Sequence, residues 1–210
     1  MSLTLDLLRH GEPLGGPRYR GQTDDALSGR GWLQMHRAVR AQSTQHLPWQ
    51  GVYSSPLRRC RDFARQISQR QHLPLHIIPH MGEIDFGRWE GRTAAQLMRE
   101  DGEALGNFWR DPVQHTPHGG ETLLAFRTRI ITAWQQLLDN LQDDAAATPR
   151  HLLMISHGGV IRILLHHMLD IPLLKLHHIE VPYGCLTRIR IDWHDGEASA
   201  RLASHGSPQP

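Results

Sequence analysis

Apolar positions along this chain fall into two periods. Leu3 to Leu8 is an apolar run that reads as a buried strand. Glu12 to Asp25, rich in Gly, Pro and Arg, reads as a loop. Ser28 can cap a helix from about Gly29 to Gln45 that turns Trp32, Met35, Val39 and His36 to one face. A short strand at Gly51 to Ser54 follows, then a helix with Pro56 in its first turn, running to about Gln71. Leu75 to Ile78 is the third strand, and Met81 to Gly91, with three glycines, is a loop.

Thr93 can cap a helix containing Ala94 to Arg99, and a second helix covers Ala104 to Arg110. Thr122 opens a long helix to about Leu141, with Leu123, Phe126, Ile130, Ile131, Trp134 and Leu138 on its apolar side. Asp143 to Arg150 is a polar linker. His151 to Ser156 is strand, Gly159 to Leu169 helix, and Gly184 to Trp193 an alternating, half-exposed antiparallel strand. Residues after Asp195 read as a frayed tail. Strands alternating with helices imply an α/β fold with a largely parallel sheet. Ligands in such sheets bind beyond the carboxyl ends of the strands.

Composition narrows the classes. The 210 residues suit one domain of about 1–195, with a tail at 196–210. Hydrophobic content of 39% and charged content of 21% are ordinary for a soluble protein. No run is long and apolar enough for a membrane helix, and the N-terminus starts at once with a strand. A cytoplasmic protein is therefore expected. A net charge of +2 with dispersed arginines gives no nucleic-acid signature. Cys60 and Cys185 have neither metal nor disulfide-framework spacing, so both are expected reduced and buried. The 16 histidines include no His-Glu-x-x-His, and the adjacent pairs His166-His167 and His177-His178 point in different directions. No metal and no cofactor are expected.

Chemistry is concentrated at four strand-end segments. Arg9-His10-Gly11-Glu12 follows the first strand, and Ser54-Ser55-Pro56-Leu57-Arg58-Arg59 the second. Glu83 lies in the loop after the third, and Ser156-His157-Gly158-Gly159 ends the later one. If these ends converge, two imidazoles, at least two guanidinium groups and one carboxylate share a pocket. A neutral imidazole nitrogen can attack phosphorus. Arginines can bind the equatorial oxygens, where charge sits during transfer. A carboxylic acid can protonate the departing alkoxide, which suits Glu83.

The order of these segments resembles the histidine phosphatase superfamily, which includes cofactor-dependent phosphoglycerate mutases. The likeness runs to about Trp193. It implies a three-layer α/β/α sandwich with His10 as the phosphorylated residue, Glu83 as proton donor, and Arg9, Arg59 and His157 as the phosphate pocket. Arg59, not Arg58, matches the family's Ser-Ser-x-x-x-Arg spacing. Three further segments resemble α-ribazole phosphatases of cobalamin biosynthesis: Tyr19 to Asp25, Glu83 to Gly91, and Pro117 to Thr122. They imply Gly21 and Thr23 as substrate-binding residues and α-ribazole 5′-phosphate as the small-molecule substrate. Pro13 departs from the Thr or Ser that many members carry after Arg-His-Gly-Glu.

A mutase is the nearest alternative, but only 73 residues separate Glu83 from His157, short of the longer insertion in strong mutases. A broad sugar phosphatase and a non-catalytic phospho-ligand module are the others. The segment 93–120 is the expected substrate cap, and Trp109, Phe108 and Leu97 in it suit either an aromatic ligand or the core.

Overall fold

The computed structural model describes residues 2–43, 48–143 and 150–206. The expected polar linker (144–149) and the end of the first expected helix (44–45) lie outside them. A six-stranded sheet forms the middle layer. Its strands are β1 (Ser2–Arg9), β2 (Gly51–Ser54), β3 (Leu75–Ile77), β4 (Arg150–Ser156), β5 (Leu186–His194) and β6 (Glu197–Gly206), in the order β3-β2-β4-β1-β5-β6. The first four are parallel, while β5 runs antiparallel to β1 and β6 antiparallel to β5.

Helices cover both faces, giving a three-layer α/β fold. α1 (Gly29–Ser43) and α2 (Arg58–Gln71) contribute Met35, Val39, Phe63 and Ile67 to one core, against Leu8, Val52 and Leu153 of the sheet. α5 (Leu123–Asp143) and α6 (Gly158–Leu169) contribute Phe126, Ile130, Trp134 and Ile163 to the other, against Leu5, Leu7 and Met154. Period-two alternation along β1 sends Leu5 and Leu7 to one core and Leu8 to the other. A third, smaller core of Trp89, Leu97 and Leu105 sits beneath α3 (Ala94–Glu100) and α4 (Gly102–Arg110). The capping box between Thr93 and Gln96 fixes the start of α3.

Three expectations need correction. The stretch after Asp195 is strand through Gly206: Asp195 and Gly196, both at positive φ, turn the chain back into β6. An Asp-Gly pair between strands is a strong hairpin signal, because it takes the positive φ values a tight turn needs. β5 is not half-exposed at its start, since Leu186 to Ile189 are all buried between β1 and β6. Pro56 lies ahead of the second helix rather than in its first turn, because Leu57 is the residue preceding helical geometry.

One buried polar group ties the sheet together. Asp6 of β1 accepts hydrogen bonds from Trp49 Nε1 (2.9 Å) and from Arg188 Nε and Nη2 (2.7 and 2.9 Å), with His151 Nε2 at 2.9 Å. Burial alone raises its pKa. The bonds from His151, Arg188 and Trp49 and the charge of Arg188 outweigh that and hold it below the usual carboxylate value.

Candidate active site

Strand register builds the site. β1 and β4 are adjacent and parallel, with Arg9 opposite Ser156. The residues one step further on, His10 and His157, therefore emerge side by side. The His10 amide still bonds to the Ser156 carbonyl at 2.9 Å, and the Ser55 amide to the Ile155 carbonyl at 3.0 Å. Three carboxyl ends are thus level, and His10, Ser55 and His157 meet there. The two imidazoles are 5.2 Å apart between ring centres, edge to face.

The His10 ring is oriented by its own turn. Nδ1 is 2.7 Å from the Gly11 carbonyl oxygen. A carbonyl only accepts, so Nδ1 carries the proton and Nε2 is left with its lone pair. Burial, with the positive charge of Arg59 and Arg9, holds the His10 pKa well below the ordinary histidine value. His157 is fully buried and is depressed in the same way, by burial and then by Arg59, His10 and Arg9. Its Nε2 is 2.6 Å from Ser55 Oγ, and Cys60 Sγ lies 3.6 Å from the same nitrogen. Burial pushes the Cys60 thiol up to about 12, so it stays protonated.

Two arginines frame the imidazoles. Arg59 is fully buried, with Nη1 donating to the Thr23 carbonyl and Nη2 to the Gly21 carbonyl, each at 2.7 Å. Arg58 is exposed, and its backbone amide bonds to Asp24. Arg9 donates to the Val181 carbonyl and stacks 4.3 Å over the Tyr183 ring. The Nε atoms of Arg9 and Arg59 are buried donors without a protein partner. Buried unpaired donors cost on the order of 1–3 kcal/mol each, so an anion bonding there would relieve a strain already present.

Glu83 is buried at the wall of the same cleft. Its Oε2 accepts from the Gly159 amide at 2.9 Å and its Oε1 from the Ile84 amide at 3.0 Å. Gly159 must lack a side chain here, since a Cβ would stand 2.2 Å from Glu83 Oε1. The cleft, about 340 Å³, is also lined by Arg9, Arg20, Gly158 and Arg162.

Gly21 and Thr23 meet Arg59 through backbone carbonyls, and neither turns a side chain to the cleft. A Cβ on Gly21 would fall 1.7 Å from the Ile84 carbonyl oxygen. The residue that shapes this loop is Glu90, which sequence reasoning left without a role. Its Oε1 accepts from the amides of Gly21, Gln22 and Phe86 (2.8, 3.0 and 3.0 Å), and its Oε2 from the Thr23 amide (3.0 Å) and hydroxyl. Burial raises the Glu90 pKa, but these bonds, led by the Thr23 side chain, hold it below the usual value. The signal was its place in the Phe86-Gly87-Arg88-Trp89-Glu90-Gly91 motif. Among the described residues, no group of three or more His, Cys, Asp or Glu side chains could hold a metal ion. None of their helices is long and apolar enough to cross a membrane.

A parallel sheet whose carboxyl ends gather two neutral imidazoles, two anion-ready guanidinium groups and a carboxylate defines a phosphoryl-handling α/β protein. The family model described as histidine phosphatase superfamily (branch 1) matches residues 5–203, and the chain belongs to that family. Its relatives include proteins named as phosphatases. The adenosylcobalamin/alpha-ribazole phosphatase of Salmonella typhimurium is 32% identical over 194 residues, covering 90% of this chain and 91% of that one. The glucosyl-3-phosphoglycerate phosphatase of Mycolicibacterium vanbaalenii is 32% identical over 173 residues, covering 80% and 75%. The crystal structure of the alpha-ribazole phosphatase from Shigella flexneri superimposes with a TM-score of 0.77 at 29% identity, covering 95% of each chain. Family and relatives support a phosphatase acting on a small-molecule phosphate.

Proposed function

We propose that this chain is a metal-independent phosphomonoester hydrolase that works through a phosphohistidine on His10, and that α-ribazole 5′-phosphate is its substrate. The observation that carries the chemistry is the His10 Nδ1 contact to the Gly11 carbonyl, which leaves Nε2 as a nucleophile beside the unpaired donors of Arg9 and Arg59. Phosphate oxygens bond to those donors. His10 Nε2 attacks phosphorus, a P–N bond forms, and the P–O bond to the alcohol breaks. The departing alkoxide takes a proton from the Glu83 carboxyl group. Water then attacks the phosphohistidine, Glu83 takes the water's proton, the P–N bond breaks and inorganic phosphate leaves.

Arg9, Arg59 and His157 supply the stabilising charge and hydrogen bonds that a metal ion brings elsewhere. The depressed histidine pKa values favour this route, because only a neutral imidazole is nucleophilic. The α-ribazole reading draws on the Salmonella and Shigella relatives. The mycobacterial relative keeps glucosyl-3-phosphoglycerate as the competing ester. Two buried free cysteines suit a cytoplasmic setting.

The test is a set of phosphate esters assayed in EDTA, with His10→Ala alongside. The expected result is chelator-resistant hydrolysis favouring α-ribazole 5′-phosphate over glucosyl-3-phosphoglycerate and 3-phosphoglycerate. His10→Ala should lose more than ~10³-fold in kcat and trap no acid-labile phosphoprotein. Activity restored only by a divalent cation, or within tenfold of wild type in His10→Ala, overturns the mechanism.

A further inference from the structure

Arg9 carries its charge at the phosphate site without an acidic partner. None of the ion pairs among the described residues involves it. It is also crowded by like charge. Its Nε and Arg162 Nη1 lie 3.3 and 3.2 Å from one point, where a Cβ on Gly158 would sit. Burial first, and the Arg162 charge after it, draw the Arg9 pKa below the usual arginine value. A flexible side chain in that position needs something to hold it in the site.

The segment 179–185, between the short helical turn Leu173–His178 and β5, supplies the hold. Three consecutive carbonyls in it take three side-chain donors. Ile179 accepts from Arg162 Nε at 2.9 Å, Glu180 from His205 Nε2 of β6 at 2.6 Å, and Val181 from Arg9 Nη1. The chain then turns, with the Cys185 amide donating to the Pro182 carbonyl at 2.9 Å. Gly184 takes the positive φ of 72° at the third position of that turn. The turn is tied to the site by the Gly184 amide, 3.4 Å from the His10 carbonyl, and by the Arg9 amide, 2.9 Å from the Cys185 carbonyl. Tyr183 stands at its corner, half-buried. Its ring centre is 4.3 Å from the Arg9 guanidinium carbon and 5.6 Å from the centre of the His10 ring.

A ring suits this place better than a carboxylate. A carboxylate would take the in-plane N–H groups of Arg9 and cancel the charge that phosphate needs. The ring attracts the guanidinium through its face and leaves the N–H edge free. Arg9 Nε is indeed still without a protein partner. The rival partner is Glu83, which lines the same cleft and whose charge already acts on Arg9. An Arg9 released from the ring would close on Glu83 and withdraw a phosphate donor and the proposed acid together. We propose that Tyr183 is a positioning residue of the phosphate site, whose ring face holds Arg9 away from Glu83 with its Nε edge open to phosphate. This rests on the phosphatase reading and gives a role in it to a side chain that reading leaves idle. The ring does this, and the hydroxyl takes no part.

The experiment compares wild type, Tyr183→Phe, Tyr183→Leu and full-length chains carrying phenylalanines of increasing fluorination at position 183. The readouts are the Kd of inorganic phosphate and the kcat and KM for p-nitrophenyl phosphate. Tyr183→Leu should weaken phosphate about tenfold and raise KM to match, while Tyr183→Phe stays within twofold of wild type. The kcat should change little, because bound phosphate then holds Arg9 itself. Fluorine keeps the ring's shape but drains negative charge from its face. Phosphate should therefore bind more weakly with each fluorine added, which a role in packing alone would not produce.

A loss in Tyr183→Phe as large as in Tyr183→Leu would assign the effect to the hydroxyl and overturn the proposal. So would a flat fluorine series, which also decides the matter if Tyr183→Leu does not fold. A wild type that binds phosphate and hydrolyses p-nitrophenyl phosphate while the series stays flat sinks the ring's role alone. A wild type that does neither sinks the phosphatase reading, and this proposal with it.

Discussion

The Ser55 hydroxyl lies 2.6 Å from His157 Nε2, at the buried end of the pocket. Ser55 Oγ also accepts weakly from the Leu57 amide, at 3.3 Å. If the serine gives its proton to Nε2, the His157 proton sits on Nδ1 and the neutral ring is a hydrogen-bond donor with a fixed tautomer. Ser55→Ala frees the ring to exchange tautomers and should lower kcat about tenfold, the worth of one buried hydrogen bond, with little change in KM. A kcat within twofold of wild type would show that the serine does not set the tautomer.

Glu83 makes a different prediction, since the role proposed for it is on the leaving group. Glu83→Gln keeps the side chain's shape but removes the ionisable proton. Turnover of esters of basic alkoxides should fall by ~10²–10⁴, the usual range for general-acid catalysis. Release of p-nitrophenolate, which needs no proton, should fall far less in a burst-phase measurement. Equal losses on both ester types would place Glu83 outside proton transfer.

The buried histidines also set how stability depends on pH. His10 and His157 have folded pKa values well below the ordinary one, while in the unfolded chain they titrate near about 6.5. Below that pH the unfolded chain binds more protons than the fold, so the unfolding free energy drops as pH falls through about 6.5 and on toward the folded values. Asp6, depressed in the fold, adds its own loss only at lower pH, as it becomes protonated. Urea midpoints should therefore decline from pH 7.5 to 5.5, and His157→Gln should show a shallower decline. A flat profile over that interval would contradict neutral burial of the pair.

Glu90 should behave as a positioning residue. It gathers the amides of Gly21, Gln22, Thr23 and Phe86, and the carbonyls of Gly21 and Thr23 in turn hold Arg59. Glu90→Gln puts an amide donor among groups that are themselves donors. Affinity for inorganic phosphate should weaken about tenfold, and hydrogen exchange at 20–24 should quicken. Faster exchange with unaltered phosphate affinity would confine Glu90 to loop stability.

The chemistry of the site was more legible in the sequence than its support. An apolar run closing in His-Gly is a local pattern, and two of them at parallel strand ends bring His10 and His157 together by register alone. The role of Glu90 depends on bonds to amides 67–69 residues upstream, which side-chain type does not reveal. β6 was misread because almost every residue in it is exposed and no apolar period marks it, although Asp195-Gly196 did announce the turn. The burial of Arg188 in β5 likewise became intelligible only with Asp6 opposite it.

The position of β1 in the sheet also governs when the site can exist during synthesis. The strand that presents His10 is made first, yet its neighbours are β4 and β5, which leave the ribosome roughly 150 and 185 residues later. Until then β1 has no edge to pair with, and α1, α2 and their apolar faces must wait on an incomplete sheet. Long-range pairing of this kind is slow, and it exposes unpaired strand to aggregation. A chain stopped before β5 would thus carry His10, Glu83, Arg9 and Arg59 and is expected to be inactive still, because β1 would have only one neighbour.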